Sequence, residues 1–391
     1  MQSFIFRSPK SEGEHFHRQD CYPLDDAPLF RLDLLLEDSG TRVVPWLVDI
    51  NLMAGMAGIT GGIHEAYDPY AEQVWGVGTS VGGLDLDAWA EGFAERLSGP
   101  VPGGDDDTID LVIRAGHALV PDAQGVVAAL RRVHAQARLT TLDELAVVDG
   151  KLVNSSGDAV VRILRQVRRT TKHGASNDIR MREAQAFDSL TDSWLSGVVR
   201  MTPGFDMYLE SHAWMHYWRG EEFTRAFRSA HGDADHRFLM SHIPRTLRVV
   251  DETHVASDTR SVRARRPDDV DGAVLKRADS TGGAGLLMAG QPAAAHERAA
   301  MEASLSASHE DGLLLQERVR QSRYQFPAVP VPGVDSEPPW VAGRLKLAAY
   351  FRGGTFLGAH ALLTPDDRSA FPSSSTLRLL PLFVPVYGDR G

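Results

Sequence analysis

Cysteine is almost absent from this 391-residue chain. Cys21 stands alone, which excludes an internal disulfide and any zinc site built on thiolates, and suits a reducing cytoplasm. No apolar run approaches the roughly 18 residues that a bilayer crossing needs. The opening MQSFIFRSPKSEGEHFH also lacks the long apolar stretch of a signal peptide. The expectation is a cytoplasmic protein without membrane contact. Positive charge is in deficit as well: 52 acidic residues face 41 basic ones, for a net charge of −11, which argues against a protein that coats nucleic acid. Lysine is scarcer still. Only Lys10, Lys151, Lys172, Lys276 and Lys346 occur, so a lysine inside a motif is more informative than usual. Gly-x-Ser-x-Gly is missing, and Cys21 carries no thiol-catalyst signature, so no side-chain nucleophile is legible.

What is present is an ordinary globular composition, 43% hydrophobic and 24% charged, long enough for two or three domains. The stretch FRLDLLLEDSGTRVVPWLVDIN reads as a hairpin: a strand over 29–36, turn residues 37–40, and a second strand over 43–51. Polar residues stand where an apolar alternation would continue. With the turn centred near residue 41, Asp33 faces Asp49 and Arg31 faces Asn51. Pro45 marks the second strand as an edge or as bulged. From residue 108 the pattern turns α/β, with a strand over 109–115, a helix over 122–137 and a tight hairpin on Asp149-Gly150. A further helix is expected over 85–97. Residues 155–240 read as largely helical. His212–Trp218 is expected to be core, and His231 and His236 to sit in a surface loop.

The later chain carries three pieces of nucleotide-type chemistry. Lys276 ends an apolar strand four residues before a Ser-Thr-Gly-Gly-Ala-Gly loop containing Gly282, Gly283 and Gly285. Backbone N–H groups of such a loop can approach phosphate oxygens while the lysine offsets their charge. The spacing is neither the P-loop nor the dinucleotide fingerprint. Gln316, Glu317 and Val319 end the strand GLLLQERV, where backbone groups can meet an adenine edge. Lys346 alternates with apolar neighbours in the hairpin 343–365 and by itself reads as a solvated strand face. Asp33, Asp49 and Asn51 are the oxygen donors that Mg²⁺ prefers, completed by substrate phosphates rather than by a protein cage.

Together these motifs resemble the ATP-grasp superfamily of ligases in a circularly permuted order. Val274-Leu275-Lys276, Gly282-Gly283-Ala284-Gly285, Leu315-Gln316-Glu317 and the hairpin 344–358 match its earlier steps. Arg31-Leu32-Asp33 and Asp49-Ile50-Asn51 match its final steps, from the opposite end of the chain. The turn after Asn51 is similar to that of D-alanine–D-alanine ligases, and the N-terminal placement to glutathionylspermidine-synthase-like ligases. The likeness covers residues 28–60 and 242–365, about half the chain. Asp49 stands where a glutamate is usual, His360 where an arginine is common, and Arg248 is the candidate substitute for the first ATP lysine.

The resemblance implies an α/β (α+β) ATP-grasp fold with the nucleotide between two α+β subdomains. Residues 1–75 would be the permuted metal-binding part and 76–240 the α/β and helical substrate-side domain. The ATP-binding subdomain would span 241–320 and the central sheet 321–391. It further implies ATP and Mg²⁺, with Asp33, Asp49 and Asn51 on the metal, Arg31 as the catalytic residue, and Lys276, Lys346, the Gly282–Gly285 flap and Gln316–Val319 around ATP. The reaction would join a small-molecule carboxylate, such as an amino acid or small peptide, to an amine through an acylphosphate. A phosphotransferase on the same site and a non-catalytic α/β binding protein are the alternatives. Monomer or homodimer stays open.

Overall fold

The structure is a computed structural model. It describes residues 29–65, 79–167, 177–204, 212–249, 261–262, 273–277, 286–288, 313–327, 340–364, 378–380 and 382–385, apart from 39, 53–54, 83, 103–105, 118, 135 and 213. The chain opens with β1 (Leu29–Asp38), β2 (Val43–Asn51), α1 (57–65), β3 (Thr79–Gly82) and α2 (Leu86–Leu97). An α/β stretch follows: β4 (Ile109–Ile113), α3 (Val120–Val133), β5 (Ala137–Thr141), β6 (Ala146–Val148), β7 (Lys151–Val153), β8 (Arg162–Arg165), α4 (Asn177–Leu195) and β9 (Arg200–Thr202). Then come α5 (Trp214–Tyr217), α6 (Glu221–Ser241), β10 (Thr246–Val249), β11 (Ser261–Val262), β12 (Ala273–Arg277), β13 (Leu286–Met288) and β14 (Leu313–Glu317). The last elements are β15 (Arg323–Pro327), β16 (Trp340–Arg352), β17 (Thr355–Thr364), β18 (Arg378–Leu380) and β19 (Leu382–Pro385).

The result is a mixed α/β protein with three principal sheets. The first is antiparallel, in the order β18-β17-β16-β1-β2, with β15 also paired to β16. The opening hairpin is therefore inserted beside a strand from the far end of the chain: Leu29 pairs with Arg352 and Leu35 with Lys346. β2 is an edge strand, which accommodates Pro45, and a register shift falls between Asp33 and Leu34. The second sheet, β11-β10-β14-β12-β13, carries the Lys276 strand, whose hairpin partner β13 lies beyond the glycine-rich stretch.

The third sheet is parallel, in the order β5-β4-β8-β9. Ile109, Leu111 and Ile113 of β4 face a core shared with α2 and α3, while Val112 faces a second core with Phe187 and Leu190 of α4. α2 begins at Asp85, whose carboxylate accepts the Ala88 N–H at 2.9 Å, and it buries Trp89, Phe93 and Leu97. The Asp149-Gly150 hairpin forms as expected, with both residues at positive φ.

Two expectations need correction. Residues 155–240 are not predominantly helical at their start, because β8 and β9 complete the parallel sheet. His231 and His236 lie in α6, which is interrupted by non-helical backbone at Gly232, rather than in a loop. No helix among the described residues is long and apolar enough to cross a membrane.

Candidate active site

The site grows from the face of β1 that buries Leu29, Arg31, Asp33 and Leu35. The expected pairing is present: Asp33 lies opposite Asp49, and Arg31 opposite Asn51. Arg31 grips Asp33 with a two-pronged contact, Nε to Oδ1 at 2.8 Å and Nη2 to Oδ2 at 3.2 Å. From the other side, Lys346 of β16 donates to Asp33 Oδ2 at 2.5 Å. Lys346 is thus no solvated strand residue. It pairs beside Leu35 in register and reaches back to the carboxylate. Asp33 is only 2% exposed. Burial alone would push its carboxyl up, but Arg31 and then Lys346 outweigh that and hold it well below the usual carboxylate range. Burial also opposes charge on Arg31, and its attraction to Asp33 more than compensates.

Asp49 is in the reverse situation. Burial, and next the facing charge of Asp33, push its carboxyl up to about 6, against the pull of Lys346, Lys276 and Arg31. Lys276 arrives from the second sheet, its Nζ 3.5 Å from the Val48 carbonyl oxygen on the edge of β2. Buried and 8% exposed, its ammonium is pushed down to about 8, with Asp49 opposing the shift. Two separate sheets therefore bring Arg31, Lys346 and Lys276 around a pair of carboxylates. Lys276 thereby adjoins the edge strand of the hairpin.

His212 joins this group. Its Nδ1 lies 3.5 Å from Asp49 Oδ1, and the residue is buried. Sequence reading assigned its segment to the core. That holds for Trp214 and Met215, which pack with Leu47 of β2, but it misses the histidine. An imidazole opening an aromatic run offered no distinguishing signal.

The turn after Asn51 is fixed from three directions. Arg31 Nη1 donates to the Gly55 carbonyl at 2.7 Å, and the Tyr350 hydroxyl donates to the same oxygen at 3.2 Å. Met56, at φ +73°, donates its N–H to Asp122 Oδ2 at 2.7 Å, and the Ile59 N–H reaches Oδ1 at 2.9 Å. Asp122 belongs to α3, so a buried carboxylate of the parallel-sheet domain caps α1 from outside. The two helices meet at glycines: a Cβ on Gly58 would overlap the Asp122 carbonyl, and one on Gly125 would lie 3.0 Å from Gly58 Cα. His360 sits nearby, its Nδ1 2.7 Å from the Thr60 hydroxyl. Burial, then Arg31, push its imidazole down to about 3, so it stays neutral and does not replace an arginine's charge.

The remaining predicted residues are less concentrated. The Gln316 side chain points inward, where Nε2 donates to Thr246 Oγ1 at 3.2 Å and meets Met215 Sδ at 3.0 Å. Glu317 is exposed, and its N–H donates to the Arg245 carbonyl at 2.7 Å. Val319 is half-buried, and its carbonyl accepts the Gln321 N–H. Gly282, Gly283 and Gly285 lie outside the described residues, as do Cys21 and the side chain of Arg248. No group of three or more His, Cys, Asp and Glu side chains able to hold a metal ion is present among the described residues.

The fold has a solved counterpart. The chain is similar in structure to a glutathione synthetase-like effector from Globodera pallida, solved in apoform. The TM-score is 0.51 and the identity 11%, over 85% of this chain and 72% of that one. A provisionally assigned gamma-glutamylcysteine synthetase from Methylobacillus flagellatus also matches, at a TM-score of 0.39 and 12% identity, over 91% of this chain and 80% of that one. At 11% identity the first one establishes a shared fold and assigns no residue. No family model matches the chain, and no curated protein matches it either.

Proposed function

We propose that the chain is an ATP-dependent ligase that joins a carboxylate to an amine through an acylphosphate, releasing ADP and phosphate. One observation carries this reading: three cations from two sheets, the buried Arg31 and Lys276 and the partly buried Lys346, surround the facing carboxylates Asp33 and Asp49. Bringing an anionic acid up to a polyphosphate requires fixed positive charge of this kind in a site shielded from water. The shared fold with a glutathione synthetase-like effector supports the same class. The pairing of β1 with β16 supports the circularly permuted ATP-grasp order, since the N-terminal hairpin occupies a position that the unpermuted order gives to the chain's end.

In this reading Lys276 and Lys346 contact phosphate oxygens, the Gly282–Gly285 segment closes over them, and the backbone at 316–319 takes the adenine edge. Arg31, held by Asp33 and by the Gly55 carbonyl, is aimed where negative charge develops as the carboxylate attacks the γ-phosphorus. Water must be kept out, because an acylphosphate that meets it hydrolyses. The donor set suits Mg²⁺ brought by the nucleotide. Asp49 offers a carboxylate pushed up to about 6 by burial and by Asp33, which a bound cation would favour in its charged form, and Asn51 a carboxamide whose buried Nδ2 has no hydrogen-bond partner among the described residues. Such an open site is completed by phosphate oxygens, and the ion offsets phosphate charge when bound.

The test is magnesium-dependent turnover of ATP with pooled amino acids and simple amines, resolving ADP from AMP. ADP and phosphate formed only when both acid and amine are present is the expected result. ADP without an amine would favour a phosphotransferase, and AMP with pyrophosphate would overturn the acylphosphate route. No turnover together with no ATP binding would favour a non-catalytic binding protein.

A further inference from the structure

We propose that the divalent cation of the nucleotide site is held by Asp49, Asn51 and His212, and that Asp33 stays off the metal as a positioning residue for Arg31 and Lys346. This rests on the nucleotide-ligase reading above, and it divides the two facing aspartates between different tasks.

Asp33 is already fully engaged. One oxygen accepts Arg31 Nε and the other accepts both Arg31 Nη2 and Lys346 Nζ, all within 3.2 Å, in a residue 2% exposed. For Asp33 to bind a dication, one of these cations would have to leave, and it would then lie unpaired beside the incoming positive charge. Asp49 has no such obligation. A quarter of its side chain reaches solvent, and its close ionic neighbour is His212 at 3.5 Å. Two donor atoms on one metal, each about 2.1 Å away and at right angles, are about 3 Å apart. The observed pair therefore needs only a small closure to share an ion.

The segment just after His212 is anchored to both sheets. Met215 contacts Gln316 of β14, and Trp214 packs against Leu47 of β2. Asn51 completes the group from the same edge strand as Asp49, two residues on and therefore on the same face. A set of one nitrogen and two oxygen donors accepts Mn²⁺ as well as Mg²⁺, whereas an all-oxygen set gives no nitrogen signature.

The experiment uses the full chain with Mn²⁺ as the probe, with and without a non-hydrolysable ATP analogue. Pulsed electron paramagnetic resonance reads nitrogen coupling to the metal, and ¹⁵N labelling of histidine alone separates imidazole from adenine nitrogen. The expected result is a histidine coupling that disappears in His212→Ala, with Mn²⁺ affinity reduced about tenfold or more in both His212→Ala and His212→Gln. Asp33→Glu, which keeps the charge on Arg31 and Lys346, retains the coupling. Absence of histidine coupling, or unchanged Mn²⁺ affinity in both His212 variants, overturns the assignment. Failure of the analogue to bind, measured separately by equilibrium dialysis, would overturn the nucleotide reading instead. In that case the Mn²⁺-only spectra still decide whether His212 is a ligand.

Discussion

Replacing Asp49 by asparagine should make the metal-free protein more stable while abolishing its proposed activity. The Asp49 carboxyl titrates at about 6 in the folded chain instead of 3.8, because burial and the facing Asp33 disfavour its charge. A carboxylate displaced upward in this way weakens the fold at neutral pH. The penalty is absent below the unfolded value of 3.8, builds as pH rises, and is complete above about 6. The full displacement corresponds to about 3 kcal/mol, and the 26% of the side chain that solvent reaches reduces this to about 1.5–2 kcal/mol. Asn keeps the shape and removes the charge. Urea denaturation in EDTA, followed from pH 4 to 8, should therefore show Asp49→Asn gaining stability between about pH 4 and 6.5 and holding the gain above that. ADP formation should fall more than about 100-fold in the same variant. A variant no more stable than wild type at pH 7.5, or a gain that does not change with pH, would refute the electrostatic account.

Three other outcomes follow from the geometry. Lys276 loses its proton near pH 8 in the free protein, so KM for ATP should rise between pH 7 and 9, whereas Lys276→Arg, which stays charged, should give a flat profile. Gly58→Ala places a methyl group against the α3 backbone at Asp122 and should cost about 3 kcal/mol, seen as a lowered melting temperature. Tyr350→Phe removes the hydroxyl shared by Gly55 and Thr60 and should cost about 1 kcal/mol in urea denaturation, a smaller loss than at Gly58.

The opening hairpin was legible because strand alternation and a short turn fix which residues face each other. Asp33 and Asp49, and Arg31 and Asn51, needed no further information. Lys346 was not legible in the same way. Alternation shows that it leaves the side of Leu345 and Leu347, but only the pairing of β16 with β1 turns that side into a charged interior. β8 was hidden by its composition. Central parallel strands are usually apolar, yet Arg162 and Arg165 are buried here, their guanidinium groups donating to the carbonyls of Leu97, Gly99, Pro203 and Gly204 among others. α6 was hidden by Gly232, whose backbone at φ +87° breaks the helical pattern around His231 and His236. His212 was hidden by its neighbours, since an aromatic run points to core and the contact with Asp49 comes from another strand altogether.

The sheet that carries the charged cluster is assembled from both ends of the described chain, with Asp33 and Lys346 separated by 313 residues. During synthesis β1 and β2 leave the ribosome long before β16 exists to cover the free edge of β1. A strand edge open for that interval is a template for pairing with another molecule, and the long loop closure makes the final docking slow. The charges on that strand then have a second use: Arg31 and Asp33 interrupt what would otherwise be an unbroken apolar edge, so the residues that organise chemistry in the finished protein also keep its unfinished form from aggregating.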